Sequence, residues 1–200
     1  MSRIPGMRYG YHFIYIPGLG DGYDLMRRAG LFTWRLWGVT TELVPMQWYG
    51  ESSIDARYDA LCDAIDRAVS KGRRVVLVGE SAGASLAINA ASRRLDIYGL
   101  MTICGITNPR AEVSSAIRKK SPAFNHALVH LEKGVGGLDL SMVCNIRAAV
   151  DHVVPRWSSV IPGAKEYTVW SVGHVATIAL CLSVYGGLMV YVARSIRKGQ

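Results

Sequence analysis

Cysteine is scarce, with four residues in 200, which excludes a small scaffold built on disulfides. Cys62, Cys104, Cys144 and Cys181 stand in apolar surroundings, with no Cys-x-x-Cys pair and no Cys/His ligand spacing. They read as buried, reduced thiols of a cytoplasmic protein. Charge is also sparse. Only 19% of residues are charged while 50% are apolar, the reverse of what keeps a chain disordered. Acidic residues are the scarcer sign, 15 against 23 Lys and Arg, for a net charge of +8 and a pI near 9.5. The first eight residues carry early charge, but Pro5 and Gly6 follow instead of an apolar stretch, so no signal peptide is expected. Internal repeats, low-complexity tracts and linkers are lacking. Residues 1–200 therefore read as one domain, long enough to bury about 70% of its unfolded surface without a metal or disulfide staple.

Glycine is in surplus, with 21 residues against an average near 7%. That surplus implies tight turns or close backbone approaches. Six apolar runs rich in β-branched or aromatic residues recur at 11–17, 39–45, 74–79, 97–105, 144–151 and 166–173. Several are continuously apolar rather than alternating, which marks strands buried on both faces of a parallel sheet. Helical patterns fill the gaps. Residues 23–37 carry Leu25, Met26, Ala29, Phe32 and Leu36 as apolar positions. Residues 54–70 carry Ile54, Tyr58, Leu61, Ile65 and Val69, with Ser52 and Ser53 as caps and Gly72 beyond the end. Residues 81–94 are rich in Ala. Strand and helix alternate, which predicts an α/β fold. Residues 106–142 break the rhythm with two short helical stretches, 111–120 and 123–133, split by Ser121-Pro122. This insertion reads equally as a small cap or lid over a site and as a longer crossover with surface helices.

The most informative string is Gly79-Glu80-Ser81-Ala82-Gly83, placed where a buried strand gives way to a helix. Such a turn exposes the serine hydroxyl at a helix N-terminus, and the flanking glycines relieve the crowding. A hydroxyl is a poor nucleophile without a base. Of five histidines, His174 follows the last strand directly after Gly173, on a loop at the sheet edge where ligand sites of parallel sheets lie. His12 begins a strand, at the wrong end. His126 and His130, four apart, read as surface residues rather than metal ligands. An acid must orient the imidazole. Asp151 ends a strand at the same edge, while Asp139 and Glu166 are the runners-up, and His152 points away from its neighbour.

The order Ser81, Asp151, His174 over nearly the whole chain resembles the α/β-hydrolase family, and Asp151-His152-Val153-Val154-Pro155 looks like its acid loop. The resemblance implies a single-domain α/β-hydrolase fold with about six mostly parallel strands, two fewer than the full family sheet. It implies an oxyanion hole formed by the backbone N–H groups of Ala82 and Leu19, the latter in Pro17-Gly18-Leu19-Gly20, which is similar to the family's His-Gly-x-Gly loop. It also implies a serine esterase needing no metal or organic cofactor. Its substrate would be a small ester or thioester, with an acyl thioesterase or lipase-like enzyme as the alternative and a catalytically silent binding protein as a third. No nucleic-acid partner is expected. One run argues for a membrane instead: residues 175–193 lack charge, and Arg194, Arg197 and Lys198 follow. A span starting one residue past the base would hold the sheet edge against the bilayer, so this run is expected to be a packed helix, with membrane contact as the lesser reading.

Overall fold

The computed structural model describes residues 10–49 and 54–196. Each apolar run becomes a strand. In the central strands β1, β3, β4 and β5 most side chains are buried on both faces, while the edge strand β6 leaves Trp170 and Val172 exposed. In chain order the elements are β1 (Tyr11–Ile16), α1 (Asp24–Trp34), β2 (Thr40–Leu43), α2 (Ile54–Ser70), β3 (Arg74–Glu80), α3 (Gly83–Ala91) and β4 (Ile97–Ile103). They continue with α4 (Ser115–Lys120), α5 (Pro122–Val129), α6 (Leu131–Gly136), β5 (Val143–Val150), α7 (Arg156–Ser159), β6 (Lys165–Val172), α8 (His174–Leu182) and α9 (Gly186–Ser195). The six strands form one sheet in the order β2-β1-β3-β4-β5-β6, and every pairing is parallel. This is a single-sheet α/β fold of the kind expected.

Parallel pairing has a positional consequence. Pairs such as Tyr15 with Val78 and Ile103 with Ile146 bring the C-terminal ends of the strands to one edge. The loops after β1, β3, β5 and β6 all open there. β1 lies between β2 and β3, so the chain leaves β1 toward one side and returns on the other, the kind of switch point at which such sheets bind ligands.

Two helical layers cover the sheet. On one face α2, α3, α5 and α6 pack together, and on the other α1, α8 and α9 do. The insertion runs through the first layer. Phe124 and Leu131 are fully buried, Asn89 Nδ2 donates to Ala127 O at 3.1 Å, and Ser121 Oγ donates to Trp48 O at 2.8 Å. The helix after β2 forms as expected, while its caps Ser52 and Ser53, like residues 1–8 and Arg197 and Lys198, lie outside the described residues.

Two expectations need correction. Helix α1 forms, but its apolar pattern is not its buried face. Arg27, Leu31 and Trp34 are buried, while Leu25, Met26, Phe32 and Leu36 face solvent. The apolar C-terminal run is not one helix but two, α8 and α9, bent by 80°. The break has a packing cause. A Cβ on Gly186 would lie 2.7 Å from Trp34 Cδ1, and one on Gly187 2.5 Å from the Trp37 ring, so the chain turns where only glycine admits the two indoles. No single helix among the described residues is long and apolar enough to cross a membrane.

Candidate active site

Strand β3 ends at Glu80 and α3 starts at Gly83, leaving two residues for the reversal. Ser81 carries the strain, with φ at +48°, a left-handed value unusual for a residue with a Cβ. The neighbours hold it there: Ser81 N–H donates to Ile103 O at 3.0 Å, and Ser81 O accepts from Ile106 N–H at 3.0 Å and Ala84 N–H at 3.2 Å. The flanking glycines are steric requirements. A Cβ on Gly79 would lie 2.5 Å from Ala84 Cα, and one on Gly83 only 2.2 Å from Ile16 O and 2.7 Å from Pro17 O. Both contacts of Gly83 are backbone and cannot rotate away. Gly83→Ala is therefore expected to destabilise by about 2–3 kcal/mol, at the upper end for overpacking, read as a lowered midpoint in urea.

The loop after β1 lies directly against the serine, since a Cβ on Gly18 would sit 2.7 Å from Ser81 Cβ. A buried ionic cluster fixes this loop. Arg27, on the inner face of α1, donates from Nε to Glu80 Oε2 at 2.8 Å and from Nη2 to Glu80 Oε1 at 2.6 Å. Its Nη1 reaches Gly20 O at 2.8 Å and Asp24 Oδ1 at 3.0 Å, and its Nη2 reaches Leu19 O at 3.4 Å. Tyr15 O–H donates to Glu80 Oε2 at 2.5 Å. Burial works to lower the Arg27 pKa, but the hydrogen bonds and charge of Glu80 outweigh it and leave the guanidinium more basic than usual. One arginine thus ties the residue before Ser81 to the carbonyls of the loop beside it. Sequence reading missed Arg27, Glu80 and Tyr15. An arginine amid the inward positions of an otherwise amphipathic helix is the signal that was available.

Asp151 and His174 arrive from β5 and β6. Asp151 Oδ1 accepts from Val153 N–H at 2.9 Å and Val154 N–H at 2.8 Å, an Asx-type turn that leaves Oδ2 free to aim at His174. His174 is not on a loop. Gly173, at φ +102°, turns the chain at once, and His174 opens α8. Thr177 braces this turn, with Oγ1 donating to Gly173 O at 2.7 Å. The structure brings the three side chains together: His174 Nδ1 is 2.7 Å from Asp151 Oδ2, and His174 Nε2 is 2.9 Å from Ser81 Oγ. The runners-up have other partners. Asp139 accepts from Ser141 N–H at 3.0 Å, and Glu166 pairs with Arg147. His12 lies at the start of β1 on Thr40 Oγ1, and the His126 and His130 rings lie 4.6 Å apart, tilted by 58°, on the insertion. His152 is exposed.

Burial works to raise the Asp151 pKa, but the His174 hydrogen bond and the Val154 and Val153 N–H groups outweigh it, so the carboxyl titrates below its usual range. An ionised carboxylate only accepts. His174 must then carry its proton on Nδ1, leaving Nε2 bare to accept from the Ser81 hydroxyl. A lowered folded pKa contributes stability that is present above the unfolded value, about 3.9, and is lost as pH falls through the folded value. The stability gap between the natural chain and Asp151→Asn, from urea unfolding, is expected to be full at neutral pH and to close in acid.

Cys104, at the end of β4, also takes a left-handed φ of +48° and is buried beside this pair. Burial, then the Asp151 charge, pushes its thiol pKa well up, so it is a neutral S–H. Among the described residues, Cys104, Asp151 and His174 are the one group whose ligand-type atoms fit a metal, all within 4.8 Å. Asp151 and His174 already use theirs on each other.

No family model matches the chain, and no curated protein matches it by sequence. Solved structures do. Carboxyl esterase 2 from the mycorrhizal fungus Tuber melanosporum aligns over 96% of this chain and 80% of its own, with TM-score 0.66 and 14% identity. Est1E from Butyrivibrio proteoclasticus aligns over 93% and 89%, with TM-score 0.64 and 14% identity. A bromoperoxidase from Bacillus anthracis aligns over 92% of both chains, with TM-score 0.63 and 13% identity. At such identities the likeness is one of architecture alone. The chain has the α/β-hydrolase fold.

Proposed function

We propose that this chain is a serine hydrolase that cleaves carboxylic esters or thioesters through an acyl-enzyme on Ser81. The observation that carries the reading is the relay Ser81 Oγ, His174, Asp151, with contacts of 2.9 and 2.7 Å. Esterases among the structural neighbours support it as analogues of fold.

The chemistry follows from the hydrogen-bond directions. Ser81 Oγ attacks the carbonyl carbon as its proton passes to His174 Nε2, and Asp151 stabilises the resulting imidazolium. The carbonyl oxygen becomes an oxyanion. The N–H groups of Leu19, in the loop that Arg27 anchors through the Leu19 and Gly20 carbonyls, and of Ala82 would receive it. The imidazolium then protonates the departing alkoxide or thiolate, and the acyl group stays on Ser81. Water, deprotonated by His174, releases the acid and restores the hydroxyl.

A fluorophosphonate probe tests this reading. One adduct per chain is expected, mapping to the peptide that contains Ser81 and lost in His174→Ala. An adduct on a different serine, or a chain that neither labels nor turns over p-nitrophenyl esters or acyl thioesters, would overturn it.

A further inference from the structure

We propose that the face formed by α1, α8 and α9 docks on an anionic lipid surface. Helix α1 is apolar on both sides, with Leu31 and Trp34 buried and a second set of large apolar residues facing out. Its inner positions include the buried, paired Arg27, while Leu25, Ala29, Phe32 and Leu36 form a stripe along the outer side of the helix and its short extension, Arg35–Trp37. Leu25 is 80% exposed, Phe32 62% and Leu36 82%. Side chains of that size are normally covered when they align on one helix face.

The neighbouring helices extend the same surface. α8 packs beside α1, with Leu182 against Gly30, and the 80° bend lays α9 against Trp37. Val184, Leu188 and Tyr191 are exposed on this side, and Trp37 lies across Gly187 with its own ring half exposed. Apolar residues mixed with Tyr and Trp are the composition of a membrane–water interface, where the rings sit at headgroup level.

Charge selects the occupant. Across α1, its extension, α8 and α9 the only carboxylate is Asp24, and it is held by Arg27 at 3.0 Å. The remaining charges are cationic: Arg28 and Arg35 flank the stripe, exposed, and Arg194 stands at the far side, bonded to Trp37 O at 2.7 Å. Beside the stripe β2 adds one carboxylate, Glu42, which is paired with Arg67 at 2.7 Å. An apolar face whose unpaired charges are arginines fits acyl chains beneath anionic headgroups. A second copy of the chain would set Arg28 and Arg35 against like charges, on a protein already at +8. The docking does not depend on the hydrolytic reading.

Vesicle co-sedimentation of the full chain tests it, with phosphatidylcholine alone and with phosphatidylcholine containing phosphatidylglycerol. Binding to the anionic vesicles is expected, weaker by about tenfold on phosphatidylcholine alone and falling as salt rises. The double variant Phe32→Glu/Leu36→Glu is expected to lose vesicle binding while keeping its melting temperature and its turnover of a short, water-soluble ester. Ser81→Ala is expected to bind vesicles as the natural chain does, so a failure of the catalytic reading leaves this result standing. A chain that stays in the supernatant with both vesicles overturns the proposal. So does unchanged binding by the double variant, equal salt-independent binding to both vesicles, or a dimer in sedimentation velocity that the double variant disperses without any vesicle binding.

Discussion

Ser81→Ala is expected to lower kcat on any ester that the natural chain turns over by about 10⁶-fold, the loss seen when one member of such a concerted set is removed. The size of the effect follows from the geometry. His174 Nε2 has Ser81 Oγ 2.9 Å away, so without the hydroxyl the imidazole must recruit a water that nothing positions. His174→Ala is expected to cost about as much, and the double variant no more than either single one, because the two groups act as a unit. Steady-state kinetics on purified protein checks this. Additive losses would show that Ser81 and His174 act separately.

The second large effect concerns the buried cluster. Arg27→Met is expected to destabilise the fold by about 3–5 kcal/mol, because Glu80 would stay buried with its charge uncompensated. Both partners are almost wholly excluded from water, so solvent cannot take over. Urea unfolding measures the loss. The triple variant Arg27→Met/Glu80→Leu/Tyr15→Phe replaces the three most buried polar side chains of the cluster, leaving the partly exposed Asp24, and is expected to recover most of the stability, since an apolar filling of similar volume often matches a buried ion pair. Its activity is expected to stay low by about 10²-fold, the scale of one oxyanion donor, because Arg27 also anchors the Leu19 and Gly20 carbonyls. Recovery of kcat alongside stability would show that the arginine holds the fold and not the loop.

Much of this was legible in the sequence, and the boundary has a physical basis. The central strands were visible because burial on both faces forces continuous apolar runs, and a strand such as β3, Arg74–Glu80, is defined by its own residues. Ser81, Asp151 and His174 were visible because parallel strands send every C-terminal loop to one edge, so position in the chain gives position in space. The inner face of α1 was hidden. Arg27 is buried for the sake of Glu80, 53 residues away, and hydrophobic periodicity cannot register a partner at that distance. The break between α8 and α9 was hidden for a similar reason. Gly186 and Gly187 yield to Trp34 and Trp37, which lie far back in the sequence. His174 as the first residue of a helix, rather than a loop residue, turns on Gly173 alone.

The all-parallel sheet also governs how the molecule is born. No neighbouring strands are joined by a hairpin, so each pairing must wait for an intervening crossover to close, and the loop-closure entropy comes before any reward. The contact between Ser81 and His174 spans 93 residues, one of the longest closures near the sheet edge. Helices, whose hydrogen bonds are local, form on a far shorter timescale. After dilution from denaturant, far-UV ellipticity is expected to return first and ester turnover to trail it, with the relay among the last features to assemble. During that interval β3 and β4, with their largely apolar residues, stand unpaired. The chain's hazard is then aggregation of a half-closed sheet rather than loss of the finished one.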